Sequence, residues 1–373
     1  MSGPLSGLRV LEFAGLGPAP YAAMLLADLG ADVLRLERLG ATSNTSSGEI
    51  LTRSRTSVAL DLKSDAGRDI VLELSERADA VIEGFRPGVM ERLGLGPDDL
   101  LSRNPRLVYG RMTGYGQSGP LSQRSGHDIN YISISGALWP LGRADERPTP
   151  PMNLVGDFGG GSLFLAMGVL AGVWSARETG EGQIVDAAMV DGSASMLSMM
   201  HSFINADYWR EERGTNILDT GAHFYEVYET SDHQFMAVGA IEAKFYAQLL
   251  LGLGLASTEL PSQFDRAQWP EMKERFATIF ATKTREEWTS IFDNLDACVT
   301  PVLTPREAAA HPYNTERRVF VSEPALQPAP APRFSRTPGA IRPSLSTREA
   351  LESWGVSADR ADQLRRTGVL GEG

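Results

Sequence analysis

Cysteine is nearly missing from this chain: Cys298 stands alone among 373 residues. A single thiol excludes an intramolecular disulfide and a cysteine-built metal site. Histidine is sparse, with five residues at 127, 201, 223, 233 and 311 and no pair at helical ligand spacing, so no structural metal is expected. Only four residues are lysine (63, 244, 273 and 283), and the other basic residues are arginine. Acidic residues outnumber basic ones 47 to 35, for a formal charge of −12. Nucleic acid and anionic membrane surfaces both require a basic face, so neither is expected as the main partner. A local basic patch still suits a phosphate-bearing small molecule.

The opening MSGPLSGLRV has no charged-then-apolar layout, and the closing GVLGEG carries no peroxisomal or retention signal; a cytoplasmic location is expected. Residues 158–176 form an uncharged run near membrane-spanning length. Its five glycines, two serines and lack of a companion span point to a buried helix in a large soluble core. Hydrophobic residues at 42% and charged residues at 22% fit a globular protein of one large or two modest domains.

Strands alternate with helices through the first 190 residues. LRVLEF (8–13), ADVLRLE (31–37), SVALDL (57–62), DAVIEGF (79–85), RLVYGRMTG (106–114) and GQIVDAAM (182–189) read as strands. Helices are expected at 21–30, with Gly30 past the end, at 66–78 and at 158–176. This alternation marks a parallel sheet with helices on both faces. Residues 191–224, rich in Met, Ser and Asn, read as a connection between domains. From 225 the texture changes to a hairpin turning near Ser231-Asp232, then helices at 242–252, 269–280 and 285–295, which suggests a smaller α+β domain. The Pro- and Arg-rich stretch 323–343 is expected to cross in extended form, before a last helix at 358–368.

Gly15-Leu16-Gly17 after a strand, with Glu37 ending the next, invites a dinucleotide fingerprint. Pro20 occupies the third glycine position, however, and a tight strand-to-helix turn is the favoured reading. Three ionisable residues sit where such a fold exposes side chains: His127 after a Gly/Ser-rich loop, Asp157 where an extended segment meets the long helix, and Glu242 where a strand passes into a helix. Each has a bland alternative, as a structural imidazole, a helix N-cap and a partner for the helix dipole respectively. Spacing alone does not choose.

Gly159, Gly160 and Gly161 open an apolar helix at a cost of about 1 kcal/mol each relative to Ala. Such a run implies close backbone approach by a ligand or by another chain, and a free helix N-terminus there would offer amides to a developing oxyanion. Met196, Met199 and Met200 would share one helical face, with core filling favoured over an acyl-binding surface. Arg35, Arg38, Arg53, Arg55, Lys63, Arg86 and Arg92 cluster early in the chain, several just after strands, at the edge where open α/β sheets bind ligands. In an acidic protein that edge suits a polyphosphate.

Over nearly its whole length the sequence resembles the family III CoA-transferase superfamily. The resemblance rests on residues 5–38, SVALDLKSDAG (57–67), ADAVIEGFRPGVMERLGLG (78–96), GQIVDAAMVDG (182–192) and GVSADRADQLRRTGVL (355–370). Within the superfamily, GRMTGYGQSGP (110–120), GHDINYIS (126–133), NLVGDFGGGS (153–162) and GAIEAKFY (239–246) resemble the racemase branch. Transferases match at Asp157, which they use to form acyl anhydrides, but lack the His127 segment and the GAIE segment.

The resemblance implies a doubly wound, Rossmann-like large domain over 1–190, completed by 330–373, with a 191–224 linker. A smaller α+β domain over 225–320 and a return linker at 321–329 would complete an interlocked homodimer. It implies inversion at C2 of 2-methylacyl-CoA thioesters, with no cofactor beyond the CoA of the substrate. His127, Asp157 and Glu242 would be catalytic, Glu242 facing the other two across the dimer interface. The CoA would contact Arg38, Leu60, Asp61, Leu62, Lys63, Gly84, Phe85, Arg86, Arg92, Gly126, Asp128, Ile129, Asn130 and Tyr131. The alternatives are a CoA-transferase with Asp157 as nucleophile and a non-catalytic acyl-CoA binding protein.

Overall fold

A computed structural model describes residues 3–40 and 49–371. The described chain divides into two compact units, the first built from residues 3–40, 49–135, 152–196 and 318–371 and the second from 136–151 and 197–317.

The first unit is a six-stranded parallel sheet. Its elements run β1 (Arg9–Phe13), α1 (Pro18–Asp28), β2 (Asp32–Arg38), β3 (Thr56–Leu60), α2 (Asp65–Ser75), β4 (Ala80–Glu83), α3 (Val89–Arg92), α4 (Pro97–Arg103) and β5 (Val108–Thr113). Then come α5 (Asp128–Ser135), a π-helix (Leu154–Ser162), α6 (Leu163–Thr179), β6 (Gln183–Ala188) and α7 (Met189–Met196). The strand order is β3-β2-β1-β4-β5-β6, the doubly wound order in which direction of winding reverses between β1 and β4. Strands buried on both faces have near-continuous apolar sequences, and β4 and β5 are buried along their whole length. Gly30 follows α1 with φ 105°, a conformation glycine adopts without strain.

Residues 318–371 return to this sheet. Leu370 bridges Leu60, and Gly371 N–H donates to Ala59 O at 2.9 Å. Leu351, Trp354 and Leu364 enter the same core as Leu34, Leu60 and Leu74.

The expected buried helix at 158–176 differs in two ways. It begins as a π-helix, in which Leu163 N–H reaches back to Phe158 O. It is also buried on one side only: Leu165, Val169 and Val173 pack inward, while Leu163, Met167 and Trp174 are exposed. The glycines explain the packing, since Gly110, Gly168 and Gly172 let β5, β6 and α6 meet with Leu165, Val185 and Val108 filling the gaps.

The second unit opens its helical part with α8 (Ser198–Asn205) and carries an antiparallel sheet of β7 (Tyr225–Glu229), β8 (Phe235–Gly239) and β9 (Val299–Pro301). Helices α9 (Ala243–Gly252), α10 (Trp269–Phe280) and α11 (Arg285–Phe292) pack on it around Phe224, Phe276, Phe280 and Trp288. The three methionines do not share one helix. Met196 ends α7, Leu197 caps α8, and Met199 and Met200 belong to α8. Met196 and Met199 are exposed, contrary to the core-filling reading.

Candidate active site

The loops leaving β1, β4, β5 and β6 at their carboxyl ends enclose a cavity of about 730 Å³. It lies at the point where the winding reverses, where open α/β sheets place their ligands. Gly15 to Pro18 forms one wall, Gly84 to Pro87 a second, and Met112 to Tyr115 with Met189 a third. The segment from Ser122 to His127, together with Tyr131 and Asp157, closes it.

His127 and Asp157 therefore open on one cavity. The His127 segment is fixed from below: its N–H donates to Asn130 Oδ1 at 3.0 Å, and its carbonyl accepts from Asn130 N–H at 2.8 Å. Tyr131 donates its hydroxyl to Gly126 O and meets the Tyr115 ring edge-on, with centroids 5.0 Å apart. Burial pushes the Tyr131 hydroxyl up to about 12, so at neutral pH it remains a proton donor. Gly114 is obligatory beneath it, because a Cβ there would fall 2.0 Å from the Tyr131 ring.

Asp157 is not an N-cap. Asn153 holds that position, and Asp157 lies within the π-helix, half-buried. Its own N–H is engaged, donating to Asp128 Oδ2 at 2.7 Å. That amide is thus unavailable to an oxyanion. Burial raises the Asp157 carboxyl above its ordinary value; Asn153, 3.4 Å from Oδ2, and the nearby His127 oppose the rise, and Asp128 adds to it.

The three glycines accommodate the chain's own α7. A Cβ on Gly160 would meet Ser193 N at 2.6 Å, and one on Gly161 would meet Met189 Cγ at 2.8 Å. Neither a ligand nor a second chain is needed to explain them.

The expected CoA contacts separate into groups. Gly84, Phe85, Arg86, Gly126 and Tyr131 line the cavity, with Arg86 Nη2 2.6 Å from Ser125 Oγ. Arg38, Asp61, Leu62, Lys63 and Arg92 lie outside its walls; Arg38 and Lys63 are exposed at the carboxyl ends of β2 and β3, and Arg92 at the end of α3. Leu60 is wholly buried in the core, and Asp128 is buried against the π-helix, while Ile129 and Asn130 are exposed.

The basic cluster also divides. Arg35 and Arg55 both bind the buried Glu12, at 2.7 and 2.5 Å, and Arg53 binds the buried Asp28. These three are structural, whereas Arg38, Lys63, Arg86 and Arg92 are exposed.

Residue-by-residue reading passed over the Gly15–Pro18 loop as a site wall. Gly17, at φ 66°, lies so close to Asp157 that a Cβ would stand 3.3 Å from Oδ2. Its position in the first strand-to-helix turn was the available signal.

Glu242 belongs to the second unit, as the N-cap residue of α9. Its side chain is exposed and makes no cap hydrogen bond. Gln263 Nε2 holds the loop before it by donating to Ala240 O and Ile241 O. Among the described residues no three His, Cys, Asp or Glu side chains converge as a metal cage requires.

A family model described as CoA-transferase family III matches residues 5–345. An alpha-methylacyl-CoA racemase of Mus musculus is 49% identical, covering 98% of this chain and 97% of its own length. The alpha-methylacyl-CoA racemase of Homo sapiens is 45% identical with the same coverage. The crystal structure of Rv3272 from M. tuberculosis superposes with a TM-score of 0.76 at 25% identity, over 94% of this chain and 99% of that one.

Proposed function

The chain belongs to CoA-transferase family III, and from that premise we propose that it is an isomerase inverting C2 of 2-methylacyl-CoA thioesters. The observation that carries this reading is the opening of His127 and Asp157 onto one cavity, in a chain 49% identical to a racemase over nearly its full length.

Inversion requires removal of the α-proton from one face and delivery of a proton to the other. A thioester α-hydrogen is far less acidic than the conjugate acid of any side-chain base here, so the enolate must be stabilised as well as formed. Asp157, made more basic by burial, serves one face, and the His127 imidazole serves the other. With the Asp157 amide engaged and the Asn130 and Tyr131 amides bonded to His127 O, the Asp128 and Ile129 amides that open α5 beside His127 are the donors suited to the enolate oxygen. The CoA lies over Gly84–Arg86 and Gly126, with its phosphates toward Arg86 and the exposed Arg38, Lys63 and Arg92.

Glu242 reaches the cavity from the second subunit of a homodimer, where it orients His127 and stabilises the imidazolium. Its exposed carboxylate, free of any cap hydrogen bond, supports this role, and the exposed Leu163, Met167 and Trp174 on α6 supply an apolar face for a subunit to cover. The protein acts in the cytoplasm and takes no cofactor beyond the CoA of its substrate.

The test is chiral analysis of a single-epimer 2-methylacyl-CoA incubated without any acceptor acid. Wild type yields both epimers, and His127→Ala loses the reaction. A His127→Ala variant with undiminished activity that depends on an acceptor acid would establish the transferase reading instead.

A further inference from the structure

Asp128 is 5% exposed and carries a carboxylate with a single hydrogen-bonded partner among the described residues. Oδ2 accepts the Asp157 N–H at 2.7 Å, and Oδ1 is buried without a hydrogen bond among the described residues. A buried carboxylate so poorly satisfied is costly, since each unmet acceptor forfeits its hydration. The backbone is shaped to admit it: a Cβ on Gly156 would stand 2.7 Å from Asp128 Oδ2 and 2.8 Å from its Cγ. Two carboxylates are thereby held together at one cavity wall, one facing the substrate space and one behind it.

We infer that Asp128 is a positioning residue for Asp157: its carboxylate pins the π-helix at the Asp157 amide, and its negative charge makes Asp157 a stronger base. This inference rests on the assignment of Asp157 as a base in the proposed reaction. A hydrogen-bonded amide would satisfy the backbone equally well, so the charge calls for its own account. Near a second carboxylate, the proton on Asp157 is held more tightly, as in any pair of like charges sharing a site. A racemase needs this. Each of its two bases must take a proton from carbon in one direction and give one back in the other, and an Asp157 too acidic would be too weak a base for the abstraction.

The groups facing Asp157 are few. His127, Asp128 and Tyr131 come from α5 and the loop before it, and Asn153 from the N-terminal side of the π-helix. Gly17 of the loop before α1 presents only backbone. Arg86 and Arg124, on the loops lining the cavity, supply its positive charge.

Asp128→Asn separates the two roles, because the amide oxygen still accepts the Asp157 N–H while the charge is gone. The direct readout is the carboxyl 13C titration of Asp157 in aspartate-labelled protein, assigned by the signal missing in Asp157→Asn. Asp157 is expected to titrate at lower pH in Asp128→Asn than in wild type. In parallel, kcat for epimerisation should fall about tenfold or more, with the acid limb of its pH profile displaced to lower pH and KM little changed. An unchanged Asp157 titration would overturn the inference. Because that titration needs no substrate, it stands apart from the proposed activity, which fails instead if wild-type protein leaves the α-hydrogen in place. Asp128→Ala, which also removes the acceptor, should lose more activity than Asp128→Asn; equal losses would overturn the pinning role of the acceptor, and an Asp128→Asn variant with wild-type activity would overturn the role of the charge.

Discussion

A Cβ atom on Gly192 would lie 1.8 Å from the carbonyl oxygen of Gly160. Helix α7 and the π-helix are therefore in backbone contact, and the segment bearing Asp157 is seated by that contact. Gly192→Ala should shift the π-helix, lower stability by about 2 kcal/mol or more and reduce kcat/KM at least tenfold. Thermal unfolding and steady-state epimerisation check both; a variant with wild-type values would show that the seat tolerates movement.

Arg86 carries its guanidinium at the cavity wall, 2.6 Å from Ser125. Arg86→Ala should raise KM for the acyl-CoA about tenfold with kcat nearly unchanged, as expected for lost uniform binding of the CoA. The increase should shrink at high salt, where the charge is screened in wild type as well. Substrate titrations at two ionic strengths measure this.

Glu83 ends β4, directly before the Gly84–Pro87 wall. Its carboxylate accepts Phe85 N–H at 2.7 Å and Arg111 Nε at 3.1 Å. Burial outweighs both partners and raises the carboxyl to about 7. The folded state thus holds the proton more tightly than the unfolded chain, so this group's contribution to stability is full below about 4.5 and lost as pH rises through 7. Glu83→Gln should gain stability relative to wild type over that interval, on the order of 3 kcal/mol. Urea unfolding of both proteins at pH 5 and pH 8 gives the difference, and no change between the two pH values would contradict it.

His223 has the opposite sign. Its ring lies against Phe224 and Phe276, with Nε2 2.9 Å from Tyr246 Oη, and burial pushes its pKa down to about 4. The neutral ring is favoured by folding, so its stabilisation is present above 6.5 and lost as pH falls through 4. Wild type should lose roughly 3 kcal/mol relative to His223→Phe across that interval. Hydrogen exchange in α9 and α10 localises the effect to the second unit.

Much of the first unit was legible because buried parallel strands are short apolar runs separated by helices of clear periodicity. The six strands fall where alternation predicts them, and Gly30 ends α1 as expected. α5 was less visible: DINYISIS is rich in β-branched residues and reads as a short apolar segment, and its helix is held by Tyr131 and Ile132 packing inward. The arginines show a further limit. Nothing local distinguishes Arg55, which binds the buried Glu12, from Arg86, because the partner lies 43 residues away in sequence. The glycine run announced a close approach, but only the fold identifies α7 as what approaches. His127 and Asp157 are legible as candidates, whereas the burial of Asp128 against the Asp157 amide depends on the π-turn and is not.

The most direct test of the account is proton NMR of a single-epimer 2-methylacyl-CoA with the purified protein in deuterium oxide, without an acceptor acid. The account predicts loss of the α-hydrogen signal together with appearance of both epimers, and loss of the epimer conversion in Asp157→Asn. Retention of the α-hydrogen by wild type, with CoA moving to a free acid once one is supplied, would contradict it.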